Sequence, residues 1–108
     1  MPRYLVRSSL TQAGLKGTLA EGGTARREVI RKAAESQGGK LEAYYYAFGD
    51  DDLVAIVEMP DNVTAAAASM TVGAAGIAKS STTVLITPEE MDEVAKKAGQ
   101  TAYTPPGS

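Results

Sequence analysis

The chain has 108 residues, 44% hydrophobic but only 6% aromatic, and a formal net charge of −2. That suits one domain, with a core either thin and closely packed or completed by another subunit, and leaves no room for two. Cysteine and histidine are both missing, which excludes disulfides, thiolate catalysis, Cys-ligated metal sites and the commonest general base and transition-metal ligand. The near-balanced charge gives no electrostatic case for nucleic acid or an acidic membrane. No run is long and apolar enough to span a bilayer. The opening MPRYLVRSS lacks the basic-then-apolar build of a secretion signal, so a cytoplasmic protein is expected.

Arg3 to Leu10 reads as a strand, with Tyr4, Val6 and Leu10 on one face and Leu5 beside Arg3, Arg7 and Ser9 on the other. Thr11 to Gly14 breaks the alternation, a short helical turn around Leu15 to Leu19 follows, and Glu21-Gly22-Gly23 is a second break. Thr24 is a good N-cap for a helix to about Gln37, with Ala25, Val29, Ala33 and Ala34 as its apolar stripe and Ile30 at the margin. Gly38-Gly39 suits a left-handed cap at its end.

Leu41 to Met59, LEAYYYAFGDDDLVAIVEM, reads as two strands joined at Gly49-Asp50-Asp51-Asp52, because aromatic and β-branched residues favour a pleated surface and Gly with Asp favours the turn. Alternation places Leu41, Ala43, Tyr45 and Ala47 opposite Tyr44, Tyr46 and Phe48, and Leu53, Ala55, Val57 and Met59 opposite Val54 and Ile56. Gly49 is expected to need a positive φ. Pro60 ends the hairpin, and Asp61 or Asn62 caps a helix over about 63–75 with Val63, Ala66, Ala67, Met70 and Ala74 on one side. Gly76 stops it before a final strand, Ile77 to Ile86. Thr87-Pro88-Glu89-Glu90 forms a capping box that starts a last helix. In that helix Met91, Val94, Ala95 and Ala98 make a stripe expected to be buried. Residues 1–98 are taken as the domain and 99–108 as an irregular tail.

The order strand, helix, strand, strand, helix, strand, plus a C-terminal helix, implies an α+β fold of the ferredoxin-like βαββαβ kind: a four-stranded antiparallel sheet with helices on one face. Both sheet faces read as largely uncharged. An open face bearing Val, Ile and aromatics would exceed the apolar patch a monomer leaves in water, so a homodimer packed sheet to sheet, or a multiple of it, is expected. The alternative is that the C-terminal helix or tail covers that face.

With those residues placed, the sequence resembles the GYD-domain family, grouped with the dimeric α/β-barrel superfamily, over about its first ninety residues. The resemblance rests on MPRYLV, the Thr11-Gln12-Ala13-Gly14 turn, Gly38-Gly39-Lys40-Leu41 and, above all, Phe48 to Asp61 (FGDDDLVAIVEMPD). Gly49 and Asp52 match the family's Gly-x-Tyr-Asp turn, whereas Asp51 stands where the family usually has Tyr. Glu21-Gly22-Gly23 looks like a local insertion. The family carries little assigned biochemistry, so the resemblance implies a fold of the dimeric α/β-barrel type and an assembly, but no reaction.

Asp50-Asp51-Asp52 offers oxygen ligands for a hard cation, but three consecutive Asp cannot aim at one point, and a solvated turn is the better reading; no metal and no cofactor are expected. Tyr44 and Tyr46 share a face and either line a cleft or pack with their hydroxyls reaching water. Arg26 and Arg27 sit in the first turn of a helix, where cations oppose the dipole; a bound anion or a nearby Glu would resolve this. Ser80, Ser81, Thr82 and Thr83 lack a histidine to activate them and read as surface strand residues. The candidate ligand set is therefore Arg7, Tyr44, Tyr46 and Asp52, with Arg26 and Arg27 as a candidate anion site. Arg7 could instead pair with Glu42 or Glu58 on the hairpin. The functional reading is a homo-oligomeric module that binds a small ligand or is structural. The alternatives are a cofactor-independent enzyme, monooxygenase- or isomerase-like, acting on a small aromatic or polyketide-like molecule, and a subunit that docks a partner through its tail.

Overall fold

The computed structural model describes residues 1–107; Ser108, the last residue of the expected tail, lies outside them. The elements are β1 (Arg3–Leu10), α1 (Gln12–Glu21), α2 (Gly23–Ser36), β2 (Lys40–Tyr46), β3 (Leu53–Glu58), α3 (Asn62–Ala74), β4 (Ala78–Leu85) and α4 (Pro88–Gly99). The strands form one antiparallel sheet in the order β2-β3-β1-β4. Helices α1, α2 and α3 cover one face of it. The α+β class, the four antiparallel strands and the one-sided helices agree with the sequence. Among the described residues no helix is long and apolar enough to cross a membrane.

The helical layer departs from the pattern in three places. First, α1 is a full ten-residue helix rather than a short turn. Thr11 caps it, accepting from the Gly14 N–H at 3.2 Å, and its hydroxyl donates to the Gly76 carbonyl at 2.7 Å, which pins the helix start to the approach to β4. A β-carbon on Gly14 would run into the Ile77 carbonyl oxygen, so this contact needs glycine. Second, α2 begins at Gly23, and Thr24 lies inside it rather than capping it. The break from α1 is Gly22, at φ 89° and ψ 155°, a conformation essentially reserved for glycine. Third, the side of α3 that carries Val63 and Met70 is not the one turned to the sheet. Val63 and Met70 are 80% and 73% exposed, while Ala65 is buried and Ala68, Ser69 and Val72 face the sheet. Asp61 caps α3 as expected, and the Tyr4 hydroxyl donates to Asn62 Oδ1 at 2.6 Å. Together these fix the helix so that its smallest side chains meet the strands.

The capping box at the start of α4 is present, with both bonds at 3.0 Å. Its apolar stripe is not buried, however: Met91 and Val94 are exposed, and no residue of the helix is buried. The radius of gyration is 17.3 Å, against about 13 Å for a compact chain of 100 residues. The inner sheet face is covered by α1–α3, and α4 packs no residue into that layer.

The expected dimeric α/β-barrel is corrected on two counts. The sheet is open, with β2 and β4 as free edges, and nothing closes it into a barrel. The premise behind the dimer also fails, because the open face is not a bare apolar patch. Strand register puts Leu5, Val54, Ile56 and Tyr45 on it, but so too Arg3, Arg7 and Glu58. Arg3 binds Glu42 at 3.0 Å and Glu58 at 3.2 Å, and Arg7 binds Asp51 at 2.8 Å. Leu5, Val54 and Ile56 are half-buried on that face, where the stems of long charged side chains cover apolar surface. Tyr44 and Tyr46, counted toward the patch by composition, lie on the helix side. A bulge between Leu41 and Ala43 sends Leu41 to that side too and leaves Glu42 facing Arg3. Gly49 also differs from expectation: its φ is not positive, and open space surrounds it.

Gly14→Ala should therefore lower unfolding free energy by about 1–3 kcal/mol in urea titrations, with Gly49→Ala nearly neutral; equal losses would contradict the close approach of α1 to Ile77. A second prediction concerns pH. The backbone N–H and the hydroxyl of Thr64, each at 2.8 Å, hold the Asp61 carboxyl below its ordinary range. A depressed folded-state pKa contributes stability that is present above the unfolded value of about 4 and lost as pH falls through the folded value. Asp61→Asn keeps a capping oxygen without the titration, so its melting temperature should decline less than wild type below about pH 4. Parallel declines would show that the carboxylate is not selectively bound.

Candidate functional site

The core is closed at one end only. Tyr4 and Met59, each 2% exposed, pack with Ala34 and Ala65, and Val57 joins them. Farther along the strands the helices present mostly Gly and Ala, and the side chains leave a cavity of about 600 Å³ between sheet and helices.

Strand register defines the floor of this cavity. Tyr44 lies opposite Ala55, Ala55 opposite Val6, and Val6 opposite Thr82. One row along, Tyr46, Leu53, Ser8 and Ser80 are paired in the same way. The floor is thus aromatic at the β2 edge and hydroxylic at the β4 edge, with Ala55, Leu53 and Val6 aliphatic between them and Ser8 bringing a hydroxyl onto the central strand β1. Gly14 and Gly17 of α1, Arg26, Ile30 and Ala33 of α2, and Ala68 and Val72 of α3 form the roof.

Two polar clusters flank the apolar middle. At one end the Tyr44 and Tyr46 rings meet edge to face, 5.4 Å apart at 86°. The Tyr46 hydroxyl donates to the Gly23 carbonyl at 3.1 Å, and the Tyr44 oxygen is 3.5 Å from it. Tyr46 has one proton and the shorter bond takes it, so the Tyr44 O–H remains a donor. Burial, then the hydrogen bond to Tyr46, pushes the Tyr44 phenol well up from its ordinary value; it is a neutral donor, not a base. Arg26 stands beside this pair, with one contact, Nη1 to Glu21 Oε2 at 3.3 Å. At the other end the Ser8 and Ser80 hydroxyls bond each other at 2.8 Å, and Ser8 is 3% exposed.

The structure divides the residues singled out in the sequence. Tyr44, Tyr46 and Arg26 converge on the cavity. Arg7 lies on the opposite sheet face with Asp51, and it is Arg3 that takes Glu42 and Glu58. Arg27 reaches Glu28, its neighbour in α2, at 3.6 Å. Asp52 extends the pairing of β1 with β3: its Oδ2 accepts the Leu10 N–H at 2.8 Å and its N–H donates to the Ser8 carbonyl at 2.9 Å. Asp50 is exposed, so the three aspartates go to three different environments. Among the described residues no group of three or more Asp or Glu is placed to hold a metal. Ser8 and Ser80 escaped notice in the sequence, Ser80 as part of a run read as surface. The available signal was a small hydroxyl on the inward phase of β1, in line with Tyr4, Val6 and Leu10.

Asp52→Ala should cost about 1–2 kcal/mol, because the Leu10 N–H loses its acceptor, while Asp52→Asn retains most of the stability. Urea unfolding of both variants checks this, and an unaffected Asp52→Ala protein would remove the structural role.

No curated protein and no solved structure matches the chain. The family model described as GYD domain matches residues 4–95, which takes in all four strands but for Arg3, the first three helices and both polar clusters of the cavity. The chain belongs to the GYD domain family.

Proposed function

We propose that this GYD-domain protein is a non-catalytic module that binds a small, largely apolar molecule between the sheet and helices α1–α3. The observation that carries this reading is the cavity itself. Its volume of about 600 Å³ falls within the range of roughly 300–1,000 Å³ typical of ligand pockets, and it pairs apolar walls with a few convergent polar groups, the usual make-up of such sites. The ligand position expected from the sequence, where Tyr44 or Tyr46 meets Arg7, is replaced by one where the same tyrosines meet Arg26.

The enzymatic reading has weaker support. Acid–base catalysis is most efficient with a group whose pKa lies near the working pH, and the Tyr44 phenol is shifted away from it. Ser8 and Ser80 face each other rather than a base, so neither is prepared as a nucleophile.

The test uses an uncharged fluorescent probe, N-phenyl-1-naphthylamine. Saturable fluorescence enhancement at one probe per chain is expected for wild type. Ala55→Leu in the middle of the floor, or Val72→Phe in the roof, should reduce probe affinity at least tenfold while leaving the circular dichroism spectrum unchanged. Ile56→Ser on the opposite face should leave binding intact. Undiminished binding by both plugged variants would refute the cavity as the site.

A further inference from the structure

We propose that the ligand is an elongated carboxylate, with its anionic head held by Arg26 and Tyr44 and its apolar body lying across the floor toward the Ser8–Ser80 pair. This rests on the binding reading above and specifies the ligand's chemistry.

Charge placement carries the argument. Among the described residues Arg26 and Glu21 are the only charged ones lining the cavity, and they differ in depth: the Arg26 side chain is 23% exposed, the Glu21 side chain 53%. The inner member of the pair is the cation. A guanidinium carries five N–H donors in a planar fork suited to a carboxylate, and one contact to Glu21 leaves most of them free. An ion pair this exposed is weak, so Glu21 yields readily to a carboxylate arriving from the cavity. The Tyr44 O–H adds a neutral donor beside the fork. A cationic head would meet Arg26 before Glu21 and be repelled. A neutral head would leave the half-covered guanidinium without a bidentate partner, which disfavours it relative to a carboxylate.

The floor sets the shape. From Tyr44 on β2 to Thr82 on β4 there are three inter-strand steps of about 4.8 Å, roughly 14 Å in all. The positions between are Ala55 and Val6, which offer an apolar track with no polar group to desolvate. At the far end Ser8 and Ser80 share one hydrogen bond, which uses one of their two hydroxyl protons, and Thr82, where the track ends, is exposed. A saturated chain of about ten carbons spans that track.

Competition against bound N-phenyl-1-naphthylamine tests this, with decanoate, decan-1-ol and decylamine as probes. Decanoate should displace the fluorophore at a concentration at least tenfold below that of decanol, and decylamine should be the weakest. In Arg26→Met the preference for decanoate over decanol should vanish while decanol affinity is retained; Arg26→Gln serves if that variant does not fold. Tyr44→Phe should reduce the preference in part, and raising the salt concentration should shrink it in wild type. Equal affinity for decanoate and decanol, a preference for decylamine, or a carboxylate preference that survives removal of Arg26 would overturn the carboxylate assignment and leave the cavity reading standing. Failure of the fluorophore to bind wild type, or its unaffected binding in both plugged variants, would overturn both.

Discussion

The arrangement of this protein depends on how little side-chain volume its helices bring to the sheet. Tyr4 is the largest fully buried side chain among the described residues, and its hydroxyl ties β1 to the first residue of α3. Around it Met59, Ala34 and Ala65 close the layer by close contact of small groups. Beyond Tyr4 the inward positions of β1 shrink to Val6 and Ser8, and the helices above offer Gly14, Gly17 and Ala33. A layer of this composition can be packed to native density at one end but not along its whole length. The cavity follows from that shortage, and its few polar groups come from Tyr44 and Tyr46 on β2, Ser8 and Ser80 on β1 and β4, and Arg26 and Glu21 on the helices.

Electrostatics then separates the two faces of the sheet. The open face holds Arg3, Arg7 and their carboxylate partners, with the aliphatic residues tucked among them. The covered face holds one guanidinium, Arg26, and it comes from a helix rather than a strand. Its partner, Glu21, sits on the other side of the Gly22 break. The same glycine that separates α1 from α2 thus places an acid and a base at the mouth of the cavity, and Tyr46 fastens the start of α2 to the end of β2.

The strands, the hairpin and two of the helix starts are legible because their signals are local: alternation in LVAIVE, Asp61 after a proline, the Thr87-to-Glu90 box. What escaped the sequence depended on contrasts it lacks. α1 carries two internal glycines and little amphipathicity, so ten helical residues read as a turn. α3 is nearly all small, and no period distinguishes its buried face: the side with Val63 and Met70 is exposed, while Ala65 and Val72 face the sheet. The bulge at Glu42 is invisible without a partner strand, and it moves Leu41 across the sheet. Of the site, the Tyr44–Tyr46 pair follows from parity, and Arg26 stood out as a cation at the wrong end of a helix. Arg7 was assigned to the same site although its odd position in β1 puts it with Leu5 on the other face. The expectation of a barrel rests on the family resemblance and that of a dimer on uncharged composition on both faces, which overlooks how many charges the pairing register gathers on one of them.

The most direct measurement is a methyl chemical-shift map. With the Ala, Ile, Leu and Val methyls labelled and assigned, titration with decanoate should move the signals of Val6, Ile30, Ala55 and Val72, which line both sides of the cavity. Leu5, Val54 and Ile56 on the open face should stay in place. Shifts confined to that second set, or spread over the exposed α4 residues Val94 and Ala95, would contradict a ligand site between the sheet and its helices.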